Sequence, residues 1–360
     1  DVKGKIVLLV RHEPQEHDVR SVFAGRIYTS HAQLLSKARN AKLHGAAAVL
    51  YVCDRWNHPT EQEELEPLGK LVGPDNAGIP FVQLRSEVAA GWLREAGASL
   101  DQLLDDVDRD LRPRSRHLTE PLGVRLAVRL ERVTRPASNV IGLVRGQTQE
   151  HVIVGAHYDH IGRGEQYSMD RAGKGRLHPG ADDNASGAAG LIELARWFGA
   201  RPPMRRGVLL MAFSGEEFGL LGSFHYVENP RLPLEKAVAM VNMDMIGRLR
   251  DDRLLVGGTE TASGFHALIH DLGEKAGFVI EDADLDGYGS SDHCPFLAHR
   301  VPVLFFFTGL HPDYHTPRDT PDAINAEGGA RVVRMVAETV ERLASAPERP
   351  QFVRQAPAIH

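Results

Sequence analysis

The second half of the chain is organised by uninterrupted apolar runs at residues 152–156, 208–213, 237–241 and 301–307. None alternates with polar residues, so each is expected to be a strand buried on both faces, as in a parallel sheet. Helical spacing of apolar positions falls between and after these runs, at 187–198, 218–227, 265–276 and 329–344. Strand followed by helix, repeated, predicts an α/β fold: a mixed, mainly parallel central sheet with helices on both faces. Residues 124–133 alternate as an edge-type strand ahead of it, and 138–144 are expected to form another strand.

The first hundred residues carry a shorter version of the same pattern. Strands are expected at 6–10, 46–52 and 79–84, the last after a turn-rich stretch at 74–78. Helices are expected at 32–44 and 87–96, stopped by Gly45 and Gly97, the second capped by Ser86. Residues 105–122 are charged and proline-bearing, and read as a solvated connection. The organisation is therefore a smaller α/β domain at 1–110, a linker at 111–123, a main domain at 124–345 and an extended tail at 346–360.

Bulk properties narrow this picture. A chain of 360 residues exceeds one ordinary core, in keeping with two domains. No apolar run nears the roughly 20 residues that span a bilayer. The net charge is −6 and no basic stripe with interleaved aromatics occurs, which argues against nucleic acid as a partner. The two cysteines, Cys53 and Cys294, fall in different domains and are expected to be unpaired. The first residue is Asp1 rather than Met and a strand follows at once, so a segment ahead of it is expected to have been removed.

The chemistry lies where the apolar runs stop. His157-Tyr158-Asp159 follows the first run, Ser214-Gly215-Glu216-Glu217 the second, Asn242-Met243-Asp244 the third, and Tyr314-His315 comes shortly after the fourth. Gly180-Ala181-Asp182-Asp183-Asn184-Ala185-Ser186-Gly187 lies between the first two. Alone, each is commonly structural: a helix cap, a solvated helix start, a packing histidine. Together they converge, because ligands of open α/β sheets bind outside the carboxyl ends of the strands. Imidazole and carboxylate suit Zn²⁺, with Co²⁺ or Mn²⁺ as possible substitutes. The candidates are His157, Asp182 or Asp183, Glu216 or Glu217, Asp244 and His315. That exceeds the three protein ligands of a single catalytic zinc and favours a two-metal site.

These motifs, with His160, Met245-Ile246-Gly247 and Thr316-Pro317 completing them, resemble the ordered motifs of the co-catalytic di-zinc aminopeptidases. That group includes secreted bacterial leucyl aminopeptidases and transferrin-receptor and glutamate-carboxypeptidase relatives. The resemblance covers residues 124–345; residues 1–110 are similar, more weakly, to the protease-associated domain. It implies that Asp183 bridges two zinc ions, that His157 and Asp244 complete one, and that Glu217 and His315 complete the other. It further implies a cis Asp183–Asn184 bond, Glu216 as general base, and Asp159 orienting His157. Tyr314 is a candidate donor to the developing oxyanion and Asp292 a carboxylate behind the ligands. Ser290 stands where some relatives carry arginine.

The reaction so implied is removal of N-terminal, hydrophobic residues from peptides with a free amino group, in an extracellular or periplasmic setting. A carboxypeptidase would need arginines to grip a substrate carboxylate, and only Arg248 and Arg250 follow a motif. A single-zinc glutaminyl cyclase and a non-catalytic receptor ectodomain are the other readings. The receptor reading conflicts with an intact ligand set and an intact Glu216.

Overall fold

The structure, a computed structural model, describes residues 2–16, 18, 20–23, 31–54, 63, 65, 77–118, 123–131, 134–164, 167–283, 287 and 289–353. The turn residues 74–76, the histidines at 17 and 58, part of the expected linker (119–122) and the end of the tail lie outside them. The chain divides into two compact units, Asp1–Thr134 and Arg135–His360.

The first unit is a parallel three-stranded sheet of order β1-β2-β3, with β1 at Ile6–Val10, β2 at Ala48–Val52 and β3 at Phe81–Gln83. Every residue of β2 is buried, and its side chains alternate between two small cores. Val52 meets Ala89 and Leu93 of α2 (Ser86–Glu95) and Leu100 of α3 (Leu100–Asp110), whereas Val49 meets Ala41 of α1 (Leu34–Leu43).

Three expectations are corrected here. Residues 105–110 are not linker but the last turns of α3: Ser99 caps the helix by accepting from the Gln102 N–H at 3.3 Å, and Arg109 pairs with Asp105 at 3.2 Å and with Asp106. A charge run with pairs at i,i+3 and i,i+4 supports a helix as readily as a solvated coil. Ser86 does not cap α2 but begins it; its N–H and hydroxyl donate to Glu63, whose carboxylate serves the helix start instead. Residues 124–131 pair with no strand, despite their alternation.

The second unit is a seven-stranded sheet of order β4-β6-β5-β7-β10-β8-β9. Its strands are β4 Val140–Val144, β5 His151–His157, β6 Gly207–Phe213, β7 Ala237–Met243, β8 Arg253–Gly257, β9 Val279–Ala283 and β10 Val303–Phe307. β6, β5, β7 and β10 run parallel; β4 and β8 join antiparallel, and β9 runs parallel to β8. The mixed, mainly parallel sheet is as expected. β8, β9 and the short α7 (His293–Ala298) were not among the expected elements: each is only five or six residues long, and β9 carries Glu281 and Asp282.

The period-two alternation of a strand divides the core. Val152, Val154 and Ala156 of β5 face one layer, with α4 (Gly187–Gly199), α6 (Phe265–Ala276) and α8 (Ala326–Ser345). Ile153 faces the other, with Tyr226 and Val227 of α5 (Leu221–Glu228) and Phe296 of α7. The tail, expected to be extended, is docked over its described part: Arg349 donates to the carbonyls of Glu235 and Ala237, and Phe352 packs on the second layer.

Arg206, 1% exposed, closes the end of α8. Its guanidinium donates to the carbonyls of Leu343 (2.8 Å) and Ala346 (2.7 Å) and to Glu150 (2.8 Å). Arg206→Met leaves two carbonyls unpaired, and buried unpaired groups cost about 1–3 kcal/mol each. The variant is expected to lose roughly 3 kcal/mol of stability, read as a lower urea midpoint with little change in activity.

Candidate metal centre

The carboxyl ends of β5, β6, β7 and β10 lie along one edge of the sheet, and the charged side chains gather there. His157 is the last residue of β5, Glu216 and Glu217 follow β6, and Asp244 follows β7. His315 lies beyond β10 with φ at 52°, in the left-handed region that few non-glycine residues adopt. Its carbonyl accepts from the Met169 N–H at 2.9 Å, and its Nδ1 lies 3.1 Å from the Tyr167 carbonyl, which aims Nε2 inward.

Asp183 stands between the histidines. Its Oδ1 is 3.3 Å from His157 Nε2 and its Oδ2 is 3.1 Å from His315 Nε2. Asp244 Oδ1 is also 3.3 Å from His157 Nε2, and Glu217 Oε2 is 2.9 Å from His315 Nε2. Two groups of possible ligands result: His157, Asp183 and Asp244; and His160, Asp183, Glu217 and His315. Asp183 is common to both.

The residues the sequence left as alternatives part company. Asp182 turns away: its Oδ1 accepts from the Gly247 N–H at 2.6 Å and its Oδ2 lies 3.2 Å from His311. Glu217 reaches the second group, while Glu216 Oε2 sits 4.0 Å from His157 Nε2 and belongs to neither group. Asp159 touches His157 through its backbone: the carbonyl is 3.0 Å from Nδ1 and the carboxylate 3.9 Å away. The Asp159 carboxylate instead accepts from the Glu216 N–H at 3.1 Å. Asp292 is fully buried and accepts from the Ser223 hydroxyl. The Tyr314 ring stacks on His315, centroids 3.9 Å apart. Ser290 makes no contact that bears on the cluster, but its neighbour Ser291 donates to Asp244 Oδ2 at 2.7 Å.

Several participants were not read from the sequence as ligands or supports. His160 Nδ1 is 2.6 Å from Glu217 Oε1; its place three residues after His157 was the available signal. Asp319 accepts from the backbone N–H groups of Asp182 and Asp183 at 3.0–3.1 Å and is held by Arg248 at 3.2 Å. Asn184 donates to the Met243 carbonyl and accepts from the Met245 N–H, fastening the loop to the end of β7. The Asp183–Asn184 bond is cis. Gly180 has φ of 61°, and a Cβ there would overlap the Asp183 carbonyl and the His160 ring.

The electrostatics call for cations. Burial opposes charge on His157, but Asp244, Asp183 and Glu216 outweigh it and hold the imidazole well above its usual range. His315 is pushed up to about 10, burial again being overcome, here by Asp183 and Glu217. Burial pushes the Glu216 carboxyl strongly upward, with Asp244, Asp292 and Glu217 adding to it, and lifts Asp292 to about 7. Tyr314 is raised by burial and by the surrounding carboxylates, so its hydroxyl keeps its proton. Among the described residues, His315 Nε2 and His160 Nε2 are buried without a well-formed hydrogen bond, although carboxylate oxygens lie within 3.1 Å of the former. That arrangement is poor for hydrogen bonding and suited to a shared ion. The nitrogen and oxygen donor set fits zinc.

A mixed, mainly parallel sheet with such a cluster at its strand ends is the zinc-exopeptidase class of α/β fold. The family model "Peptidase family M28" matches residues 139–340, and the chain belongs to that family. It is similar to "Aminopeptidase YwaD" of Bacillus subtilis (strain 168), 26% identical over 369 residues, covering 99% of this chain and 66% of that protein. It is also similar to "Probable lipoprotein aminopeptidase LpqL" of Mycobacterium tuberculosis, 24% identical over 343 residues, covering 78% of this chain and 64% of that protein. The chain thus spans about two thirds of the length of these relatives. The solved aminopeptidase from Aneurinibacillus sp. strain AM-1 shares the fold, with a TM-score of 0.55 at 24% identity, covering 99% of this chain and 72% of that one.

Asp319 provides a test of how the centre is held. Asp319→Ala frees the Asp182–Asp183 backbone while leaving every candidate ligand side chain in place. Removing such outer support typically costs about 10–100-fold in metal affinity. Competition against a chelator should show that loss, with the fold intact by circular dichroism.

Proposed function

We propose that the chain is an aminopeptidase that hydrolyses the first peptide bond of substrates with a free N-terminus, using two zinc ions and Glu216 as general base. The single observation that carries this reading is the Asp183 carboxylate, one oxygen turned to each of two ligand groups. In it, His157 and Asp244 would hold one ion, Glu217 and His315 the other, and Asp183 would serve both. When bound, paired ions of this kind polarise a scissile carbonyl and acidify a water.

The remaining work falls to the chain's own residues. Glu216 Oε2 lies 4.0 Å from His157 Nε2 and belongs to neither ligand group; with bound cations offsetting the burial that raises its pKa, its carboxylate would take a proton from the attacking water and return it to the leaving amine. Tyr314, kept protonated, donates to the oxygen that gains charge. Ser291 orients Asp244, and the Asp159 carboxylate positions Glu216 through its backbone.

Substrate polarity is read from the relatives, which are named aminopeptidases, and from the engagement of the nearby arginines. Arg248 and Arg250, which a carboxypeptidase would need, are engaged: the first by Asp313 and Asp319, the second by the Leu310 carbonyl. The preference for hydrophobic first residues is extended from the family likeness, as are the protease-associated character of residues 1–110 and export. For the last, a relative named as a lipoprotein gives support, and among the described residues no helix is long and apolar enough to cross a membrane.

A panel of aminoacyl and N-blocked chromogenic substrates, assayed before and after chelation and zinc add-back, tests the reading. Activity on free-amino substrates should vanish with the chelator and return with zinc; activity on blocked substrates alone would overturn it. Glu216→Gln should lower kcat by about 10²–10⁴-fold, the usual contribution of a general base, with bound zinc unchanged. Loss of zinc in that variant would exchange the roles of Glu216 and Glu217.

A further inference from the structure

A third group of potential ligands lies away from the strand ends just described. His266 and His270 sit four residues apart on α6, and Asp282 is on β9, the terminal strand, which β8 separates from β10. Residues at i and i+4 share one helix face. Here the two rings stack, with centroids 4.2 Å apart and planes inclined by 27°. Both turn Nε2 to the same atom: Asp282 Oδ2 is 3.0 Å from His270 and 3.5 Å from His266. The other Asp282 oxygen is already held, accepting from the hydroxyl of buried Thr259 at 3.0 Å.

We propose that His266, His270 and Asp282 form a separate binding site for a single zinc-class divalent cation, which clips α6 to the edge strand β9. A pair of histidines on a helix face is common and by itself means little. What distinguishes this pair is a third donor from another element, its orientation fixed by Thr259 so that one oxygen stays available. All three ligand atoms lie within 4.8 Å of one another. Two imidazoles and one carboxylate suit Zn²⁺, Ni²⁺ or Cu²⁺ rather than Mg²⁺ or Ca²⁺, which prefer oxygen ligands throughout. Three protein ligands leave the fourth zinc position to water, and the half-exposed rings leave the route in open. Among the described residues β9 pairs with β8 alone and packs on α6 through Ile280, so a clip to α6 would tighten the hold on an edge strand.

The test is a comparison of zinc equivalents bound by the full chain and by the double variant His266→Ala/His270→Ala. Calorimetric titration with Zn²⁺ should show one equivalent more in the parent, whatever the strand-end cluster binds, so this result does not depend on the proposed peptidase reading. Thr259→Val keeps all three ligands but frees Asp282, and should weaken that equivalent by about 10–100-fold. The extra equivalent should raise the Tm of the parent and not of the double variant, because a ligand that binds only the folded state stabilises it. Peptidase activity of the double variant, assayed with the strand-end cluster saturated, should match the parent. Equal zinc content in parent and double variant overturns the site. An extra equivalent without a difference in Tm overturns the clip.

Discussion

The structure of the second unit turns on one buried carboxylate. Asp183 sits 3.3 Å from His157 and 3.1 Å from His315, and it is 3% exposed. A carboxylate so deeply removed from water is costly unless its charge is compensated and its position enforced. Compensation comes from the imidazoles, which hold the Asp183 carboxyl well below the ordinary range against the effect of burial. Enforcement comes from Asp319 beneath the Asp182 and Asp183 N–H groups, from Arg248 behind Asp319, and from Asn184 fastened to both sides of Asp244. Glu216, Glu217 and Asp244 then crowd a region already rich in negative charge, and that crowding gives the centre its demand for cations.

The sheet makes this concentration of charge sustainable. β5, β6 and β7 spend their interior residues on two apolar layers, so nearly every polar group of that region is pushed past the strand ends. The parallel direction of β6, β5, β7 and β10 sends those ends to the same edge. Arg206 secures the opposite end of α8, where the helix meets the chain beyond it. Packing and chemistry are thus separated along each strand rather than in competition.

Much of this was legible in the chain. The apolar runs at 152–156, 208–213, 237–241 and 301–307 named the central strands, and the residues after them named the side chains that meet. In β8, β9 and α7, each five or six residues long, periodicity had too few residues to act on. The acidic run at 105–110 reads as coil until its pairs with Arg109 are seen on a helix. The alternation at 124–133 suggested a strand, and its described residues have no partner.

The sequence by itself determined the class of fold and, through its ordered motifs, the family, and it set most of the candidate side chains at the strand ends, because burial on both faces and the position of a residue at a strand end are local properties of the chain. The strand-end pattern left Asp182 or Asp183 and Glu216 or Glu217 open, the resemblance favoured Asp183 and Glu217 as ligands, and the tertiary structure supplies the geometry of that choice and brings in His160, Ser291 and Asp319. Those choices rest on which oxygen faces which nitrogen, and the partners that orient each oxygen come from segments far apart in the chain. The pairing of His266 and His270 with Asp282 has the same origin: helical spacing shows the histidines, and only the docking of α6 on β9 supplies the carboxylate.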